Sequence, residues 1–375
     1  MSVLVPPLRK LGNHLPRRAF LALAGAATLA ACGDLALPGV GTTAPVRPTD
    51  RVTVALLVPS GSSEQGNQIL AGSLENAARM AVADLSGVDI DLRVYATAGQ
   101  PGRAAEAARQ AVAGDGINVL SFSNNTAVAG GNVFVLGMTF ENTAERLLAH
   151  AAGQDRGRVM IVAERNLRGE LAASAIRRAV AGTGASVVAT ETYEFSQAGV
   201  VNAVGAIAST TRSSGAQSLI FTDDTSGALP VLAQLLPDNR VAHPQFQYIG
   251  LTRWDIPTAA LQLRGLQEGW FALPDPALTE RFEARYREAY GSTPHPIAGL
   301  AYDGIAAIGA LLSTGRPDAL SRAALTQGSG FAGVNGIFRL LPDGTNRRGL
   351  AVAAIRNNAV VILDPAPRRF VGMGS

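Results

Sequence analysis

Hydroxyl and amide side chains follow two of the short apolar runs in this sequence. They belong to Ser60, Ser121, Ser123 and Asn124. These groups donate and accept hydrogen bonds, so they suit a ligand carboxylate or a sugar. The same residue types are common where a strand turns into a loop, and ordinary turn chemistry is the alternative explanation.

Charged and aromatic side chains follow two later apolar runs. Asp223 and Asp224 could balance a ligand ammonium, or either could cap the helix that follows. Arg253, beside Thr252, could hold an acid through its planar guanidinium, and Trp254 could stack on a ring. Alternatively, Arg253 is an ordinary surface arginine and Trp254 an ordinary core tryptophan, which explains the sequence equally well.

No catalytic motif accompanies these groups. The sequence has no Gly-x-Ser-x-Gly elbow, P-loop or His-Glu-x-x-His pattern. After the first 31 residues its histidines are scattered singly, at His150, His243 and His295, and the only lysine of the chain is Lys10. We therefore predict a binding protein that is not an enzyme and has no metal or cofactor. Hydrolysis by an acidic pair is the remaining alternative.

The first 31 residues have the pattern of a secretory signal peptide. Four basic residues precede an apolar run at 19–31, which is shorter than the roughly 20 residues that span a bilayer. Leu29-Ala-Ala-Cys32 resembles the lipobox of bacterial lipoproteins, which implies cleavage before Cys32 and its lipidation. Residues 16–21 also resemble a twin-arginine export signal, and the general secretory route is the alternative. Gly33 after the cysteine favours the outer membrane.

Cleavage would change the charge balance of the chain. Residues 1–31 hold four of the 32 basic residues and none of the 29 acidic ones, which leaves 28 against 29. This balance and the lack of a basic block argue against nucleic-acid binding. Residues 32–51 are rich in Pro, Gly and Thr, which predicts a flexible tether.

From residue 52 onwards, two patterns of apolar residues alternate along the chain, one typical of strands and one typical of helices. Short apolar runs such as 52–58 and 158–163 predict buried strands, and apolar residues recur at helical spacing between such runs. Repeated strand–helix units predict parallel sheets with helices on both faces. Near the C-terminus, residues 336–341, 350–356 and 359–363 predict antiparallel strands joined by turn residues.

Two such sets of units predict an α/β fold with two doubly wound lobes and a cleft between them. The predicted boundaries are 52–137 plus 270–330 for the first lobe and 138–269 plus 331–366 for the second. Strands within 52–136 should form one sheet and those within 159–250 another. The helices after residue 273 should return to the first lobe, and the last hairpin should join the second.

Ligands in open parallel sheets bind beyond the carboxyl ends of the strands. This rule predicts that the binding site lies in the loops at 59–65, 121–126, 164–166, 222–225 and 251–255.

The order of these elements resembles the type-I periplasmic binding proteins, among them the leucine-binding receptors of ABC importers. Val54-Ala-Leu-Leu-Val-Pro-Ser-Gly61 looks like the first strand and ligand loop of that family. Gly330-Phe-Ala-Gly-Val-Asn-Gly336 is similar to a segment before its last hairpin. The resemblance covers residues 51–363 and implies a two-lobed periplasmic protein that closes on a small polar ligand.

Residues 117–124 and 250–255 look more like a subgroup of this family, the penicillin-binding protein activator lipoproteins. The resemblance implies, as the first hypothesis, a lipid-anchored regulator of peptidoglycan synthesis whose partner is a cell-wall synthase. The alternative is the substrate-binding receptor of an ABC importer for amino acids or a similar small polar solute.

One segment that this family normally has is missing here. Residues 113–116 join the second helix directly to the next apolar run, where relatives insert a strand, a loop and a helix. In the amino-acid receptors that loop helps to hold the ligand carboxylate. The resemblance therefore predicts no tight binding of free branched-chain amino acids.

Overall fold

The structure is a computed structural model that describes residues 51–111 and 118–370. The predicted signal peptide, the lipidation site at Cys32, nearly all of the tether and the short link at 113–116 lie outside the described residues. None of the helices within the described ranges is long and apolar enough to cross a membrane.

The described part of the chain alternates strands and helices. The strands are β1 Val52–Val58, β2 Ile90–Ala96, β3 Val119–Ser121, β4 Val133–Val135, β5 Arg158–Glu164, β6 Ser186–Tyr193, β7 Ser218–Phe221, β8 Gln247–Gly250, β9 Trp270–Leu273, β10 Phe331–Gly333, β11 Gly336–Leu340, β12 Asn346–Arg348, β13 Ala351–Arg356 and β14 Ala359–Asp364. The helices are α1 Gln65–Asp84, α2 Pro101–Ala111, α3 Phe140–Gly153, α4 Leu167–Ala179, α5 Gln197–Ser213, α6 Leu229–Asp238, α7 Pro276–Tyr290, α8 Gly299–Leu312 and α9 Arg322–Leu325.

A seven-stranded sheet forms the larger part of the protein. Its strand order is β14-β13-β9-β8-β7-β5-β6, in which β6, β5, β7, β8 and β9 are parallel and the β13–β14 hairpin is antiparallel. Strands β7 and β8 are buried along their whole length, because helices cover both faces of the sheet. The predicted second sheet and the addition of the last hairpin to it are confirmed.

The N-terminal strands do not form the single sheet that the sequence predicts. Parallel pairs β1–β2 and β3–β4 are two separate two-stranded sheets. Strands β3 and β4 have only three residues each, and the N–H of Val135 in β4 donates to the carbonyl of Gly344 rather than to the β1–β2 pair. The two pairs are held together by side chains instead, since Phe122 and Leu320 contact both of their hydrophobic clusters.

Helices α7 and α8 return to the N-terminal strands, as the sequence predicts. Phe282 and Ile305 lie in the same hydrophobic cluster as Leu74 and Ala78 of α1. The Asn76 amide also donates a hydrogen bond to the Tyr286 hydroxyl on α7, at 2.9 Å. We call β1–β4 with α1, α2, α7 and α8 the first region, and the seven-stranded sheet with α3–α6 the second region.

Strand β9 and the three strands β10–β12 lie elsewhere than the predicted domain boundaries imply. Strand β9, inside the predicted first-lobe segment 270–330, is a central strand of the second region. Strands β10–β12 form a three-stranded antiparallel sheet, and Phe331 and Phe338 pack against Phe134 of β4 and Leu311 of α8. These strands therefore pack with the first region, although residues 331–348 fall in the predicted second lobe.

A buried ion pair secures this three-stranded sheet to the first region. The guanidinium of Arg348 lies 3.3 Å from the carboxylate of Asp303 on α8, and the two side chains are 3% and 0% exposed. Arg348 also donates from Nε to the carbonyl of Leu136 at 2.7 Å. Burial raises the pKa of Asp303 and lowers that of Arg348, while their mutual attraction opposes both shifts.

Candidate functional site

The carboxyl edge of the second region collects polar side chains on one face of its sheet. Glu164 pairs in register with Tyr193, and Val162 pairs with Phe221. Because side chains alternate between the two faces of a strand, Glu164 projects from the face that carries Val162 and Tyr193. Asp223, two residues beyond Phe221, reaches the same face. Three chain segments therefore bring one oxygen-bearing side chain each to the same place.

Asp223 is the centre of a hydrogen-bond network. Its carboxylate accepts from the Tyr193 hydroxyl at 3.0 Å, from the N–H of Ala228 at 2.5 Å and from the N–H of Asp224 at 2.8 Å. Arg168 lies 3.5 Å away. The side chain of Asp223 is 4% exposed. Its bond to Ala228, immediately before α6, matches the helix-capping alternative, and its acceptor positions are largely occupied.

Asp224 continues the network at the surface. One carboxylate oxygen accepts from Arg168 at 3.0 Å, and the other accepts from the N–H of Ser226 at 2.9 Å. Arg168 belongs to the first turn of α4, which begins after β5 with Asn166 as its cap. One arginine thus neutralises part of the charge of the adjacent aspartates.

The loop after β8 adds a hydroxyl, an ion pair and a core aromatic ring. Thr252 donates to the carbonyl of Asp223 at 3.3 Å. Arg253 binds Asp255 through both arms of its guanidinium. Trp254 is fully buried against Phe221 and so offers no surface for a ligand ring.

Glu164 differs from the other acids of this edge. The residue is only 9% exposed, yet its carboxylate has no hydrogen bond or ion pair with any described residue. Glu164 lies close enough to Tyr193 to affect its pKa. Burial and the charges of Asp223 and Glu164 raise the pKa of Tyr193, and the charge of Arg168 lowers it. Sequence reasoning placed Glu164 in a ligand loop without a role and missed Tyr193. An acid ending the otherwise apolar run of β5 was the available signal.

The predicted residues of the first region form ordinary turns. The Ser121 hydroxyl accepts from the N–H of Ser123 at 3.3 Å, and the Ser123 hydroxyl accepts from the N–H of Asn125 at 3.0 Å. Ser60 lies in the turn after β1, where its carbonyl accepts from the N–H of Ala98 at 3.0 Å. Asn124 is exposed.

The structure therefore brings the candidate residues together in two groups. Asp224 and Thr252 are both hydrogen-bonded to Asp223, whereas Arg253 is paired with Asp255. Within residues 51–111 and 118–370, no hydrogen bond or ion pair joins the serines and Asn124 of the first region to that group. The same ranges contain no cluster of three metal-ligating His, Cys, Asp or Glu residues.

Comparison with known proteins identifies the fold. A family model described as periplasmic binding protein matches residues 123–359. A comparison with curated protein sequences finds no significant match.

Three solved structures are similar over most of the chain. A Rhodospirillum rubrum protein named for a branched-chain amino acid ABC transporter has 16% identity and a TM-score of 0.69, covering 84% of this chain and 100% of its own. A Burkholderia xenovorans branched-chain amino acid ABC transporter ligand-binding protein has 14% identity and a TM-score of 0.66, covering 85% and 96%. A Desulfitobacterium hafniense ABC transporter substrate-binding protein in complex with Leu has 15% identity and a TM-score of 0.58, covering 84% and 100%.

At these identities the similarity is one of fold. The shared fold is the two-lobed α/β fold of the type-I periplasmic binding proteins, which is the fold class that the sequence predicts. Because the family model covers more than half of the sequence, the chain belongs to the periplasmic binding protein family, which implies a periplasmic location.

Proposed function

We propose that the protein is the substrate-binding receptor of an ABC importer for an amino acid or a similar small polar solute. The observation that carries this proposal is the set of polar groups at the carboxyl ends of β5, β7 and β8. Open α/β sheets bind ligands at that edge. Asp223, Asp224 and Thr252 would line one wall, and the serines and Asn124 of the first region the other.

The importer receptor is favoured over the activator of peptidoglycan synthesis that the sequence put first. The similar solved structures carry the names of ABC transporter proteins, and one of them holds leucine. Nothing in the comparisons supports a cell-wall synthase as partner. A receptor needs only binding and closure, which agrees with the prediction that the protein is not an enzyme.

A screen of solutes tests the receptor function. The lipid-free chain from residue 33 is heated with single amino acids, amines, sugars and organic acids. A ligand at 100 times its Kd should stabilise the folded state by about 2.7 kcal/mol and raise Tm accordingly. Small-angle scattering of the same samples should show a smaller radius of gyration, because the lobes close. Failure of every solute class to change either quantity would contradict the proposal.

We further propose that Cys32 anchors this receptor in a membrane, with the outer membrane favoured by Gly33. Mass spectrometry of the membrane fraction should find a mature N-terminus at acylated Cys32. The variant Cys32→Ser should accumulate in unprocessed or soluble form. An intact N-terminus at Met1 or Ser2 in the wild-type membrane fraction would contradict the anchor.

A further inference from the structure

Every arginine at the carboxyl edge of the second region already has an acidic partner. Arg165 pairs with Glu194 at 2.7 Å, and Arg168 pairs with Asp224 at 3.0 Å. Arg253 pairs with Asp255. Counting Glu164 at the end of β5, the loops after β5, β6, β7 and β8 up to residue 257 contain five acidic residues and two arginines. The first turn of α4 adds one of each, Arg168 and Glu170, so negative charge is in excess. Glu164 is the acid without a basic partner.

A carboxylate in this position is costly unless a donor reaches it. Removing an ionised group from water without compensating hydrogen bonds is strongly unfavourable. Glu164 keeps 9% of its surface exposed, and its oxygens are not among the fully enclosed side-chain atoms that lack a partner. The carboxylate is therefore the part of this residue that opens to solvent, at the edge where the fold binds ligands.

The surrounding groups cannot supply the missing donor. The Tyr193 hydroxyl donates to Asp223 at 3.0 Å, and Arg168 contacts both Asp223 and Asp224. Asp223 is itself close to saturation, with three hydrogen-bond donors and this arginine around it. A positively charged group entering from the cleft would therefore find its strongest unoccupied acceptor at Glu164 rather than at Asp223.

We infer that the solute binds through a protonated amine whose N–H groups donate to Glu164. This inference rests on the proposed receptor function and names the chemical class of the solute. Asp223, held by Tyr193 and Ala228, is then a positioning residue that adds negative potential. The excess negative charge also disfavours a ligand whose only charged group is a carboxylate.

Three probes that differ in one charged group each test the inference. They are L-leucine, 3-methylbutylamine, which lacks its carboxylate, and 4-methylpentanoate, which lacks its amine. Calorimetry on the lipid-free chain should show 3-methylbutylamine binding at least as tightly as leucine. Both should bind more than tenfold more tightly than 4-methylpentanoate.

The variant Glu164→Gln assigns the effect to one residue. It keeps the size of the side chain and removes its charge, so the affinity for 3-methylbutylamine should fall by about tenfold to a hundredfold. The matched control is Glu194→Gln, an acid at the same edge that is 60% exposed and paired with Arg165. This control should change the affinity by less than about threefold, the size of a typical surface charge effect.

Stability separates binding from a structural role. Since the carboxylate of Glu164 has no partner among the described residues, Glu164→Gln should leave Tm unchanged or raise it. A fall in Tm, or equal effects of the two variants on affinity, would overturn the inference. So would tighter binding of 4-methylpentanoate, or failure of the amine to bind. The receptor function itself falls only if the wider solute screen and the scattering experiment also fail.

Discussion

The two regions offer a ligand different chemistry at their strand ends. In the loops 59–65 and 121–126 of the first region, Glu64 is the only charged residue, and serines and asparagines supply the polar groups. The end of β5 and the loops after β5, β6, β7 and β8 up to residue 257 carry five acids and two arginines. Neutral hydrogen-bonding groups adapt to many solutes, whereas a charged wall selects by sign. Under the proposed receptor function, the second region would decide which solute binds, and the first region would complete its enclosure.

The regions also differ in how they are held together. The second region is a continuous sheet with hydrophobic clusters on both faces. The first has two separate two-stranded sheets joined by side chains, and a buried ion pair fastens the β10–β12 sheet to it. Its cohesion should therefore depend more on single side chains.

The largest expected effect is the loss of this ion pair. Arg348→Met leaves the buried carboxylate of Asp303 without its cation and the carbonyl of Leu136 without a donor. The free energy of unfolding should fall by about 3–5 kcal/mol in chemical denaturation. The control Arg316→Met removes an exposed pair with Asp318 and should cost less than about 1 kcal/mol. Equal losses would show that the first region does not depend on the buried pair.

The next largest effect is on the affinity for a ligand carboxylate, because the short link at 113–116 replaces a loop that helps to hold the carboxylate in the amino-acid receptors that the sequence resembles. A carboxylate that lacks two of its usual hydrogen bonds loses roughly 1–3 kcal/mol for each. Affinity should then be lower by about a hundredfold to ten-thousandfold. Calorimetry should therefore find no micromolar or tighter binding of free leucine, isoleucine or valine. A micromolar constant for any of them would show that the first region still holds a carboxylate.

A smaller effect tests the network of the second region. Tyr193→Phe removes one of the donors to Asp223, and the free energy of unfolding should fall by about 1–2 kcal/mol. The control is Tyr290→Phe in the first region, where a partly exposed hydroxyl donates to the carbonyl of Asn76. That control should have the smaller effect. The opposite order would mean that the buried network is not what holds the carboxyl edge together.

The smallest effect compares one histidine from each region. Burial and the nearby charge of Arg146 lower the pKa of His150 in the second region, although Asp364 opposes the shift, and burial alone lowers the pKa of His295 in the first. A base with a lowered pKa in the folded state binds its proton more readily when unfolded. Its contribution to stability is therefore present above the unfolded pKa, about 6.5, and is lost as pH falls.

Denaturation between pH 7.5 and 5.5 should accordingly show a falling free energy of unfolding. His295→Gln should flatten this pH dependence more than His150→Gln, because no carboxylate offsets the burial of His295. If His150→Gln flattened it more, the Asp364 carboxylate would not be compensating for burial in the second region.

Much of the fold could be predicted because hydrophobic periodicity is local. The alternation of apolar runs with helical spacing located β1 and β5. The antiparallel β13–β14 hairpin followed from its turn residues, Asn357-Asn358, which both have positive φ. Strands β9 and β12 were missed for opposite reasons. Strand β9 is a four-residue apolar run that follows 3-10 turns rather than an α-helix, and β12, Asn346–Arg348, has no apolar pattern at all.

For the candidate site too, the sequence predicted some features and missed others. The sequence determined which loops follow strands, and so it identified the loops that hold Asp223, Asp224, Thr252 and Glu164. It did not determine which of these side chains has a partner. Hydrogen bonds such as Tyr193 to Asp223 join residues from different strands, and no local pattern records them.

By itself, the sequence determined the alternation of strands and helices, the parallel sheets and the edge at which polar groups collect. These features follow from the spacing of apolar residues and from turn chemistry within short windows. Tertiary structure alone decided that the N-terminal strands split into two pairs and that β9 completes the larger sheet. It also decided that Asp223 is saturated while Glu164 is not. Strand order and register set these outcomes, because they determine which distant residues become neighbours.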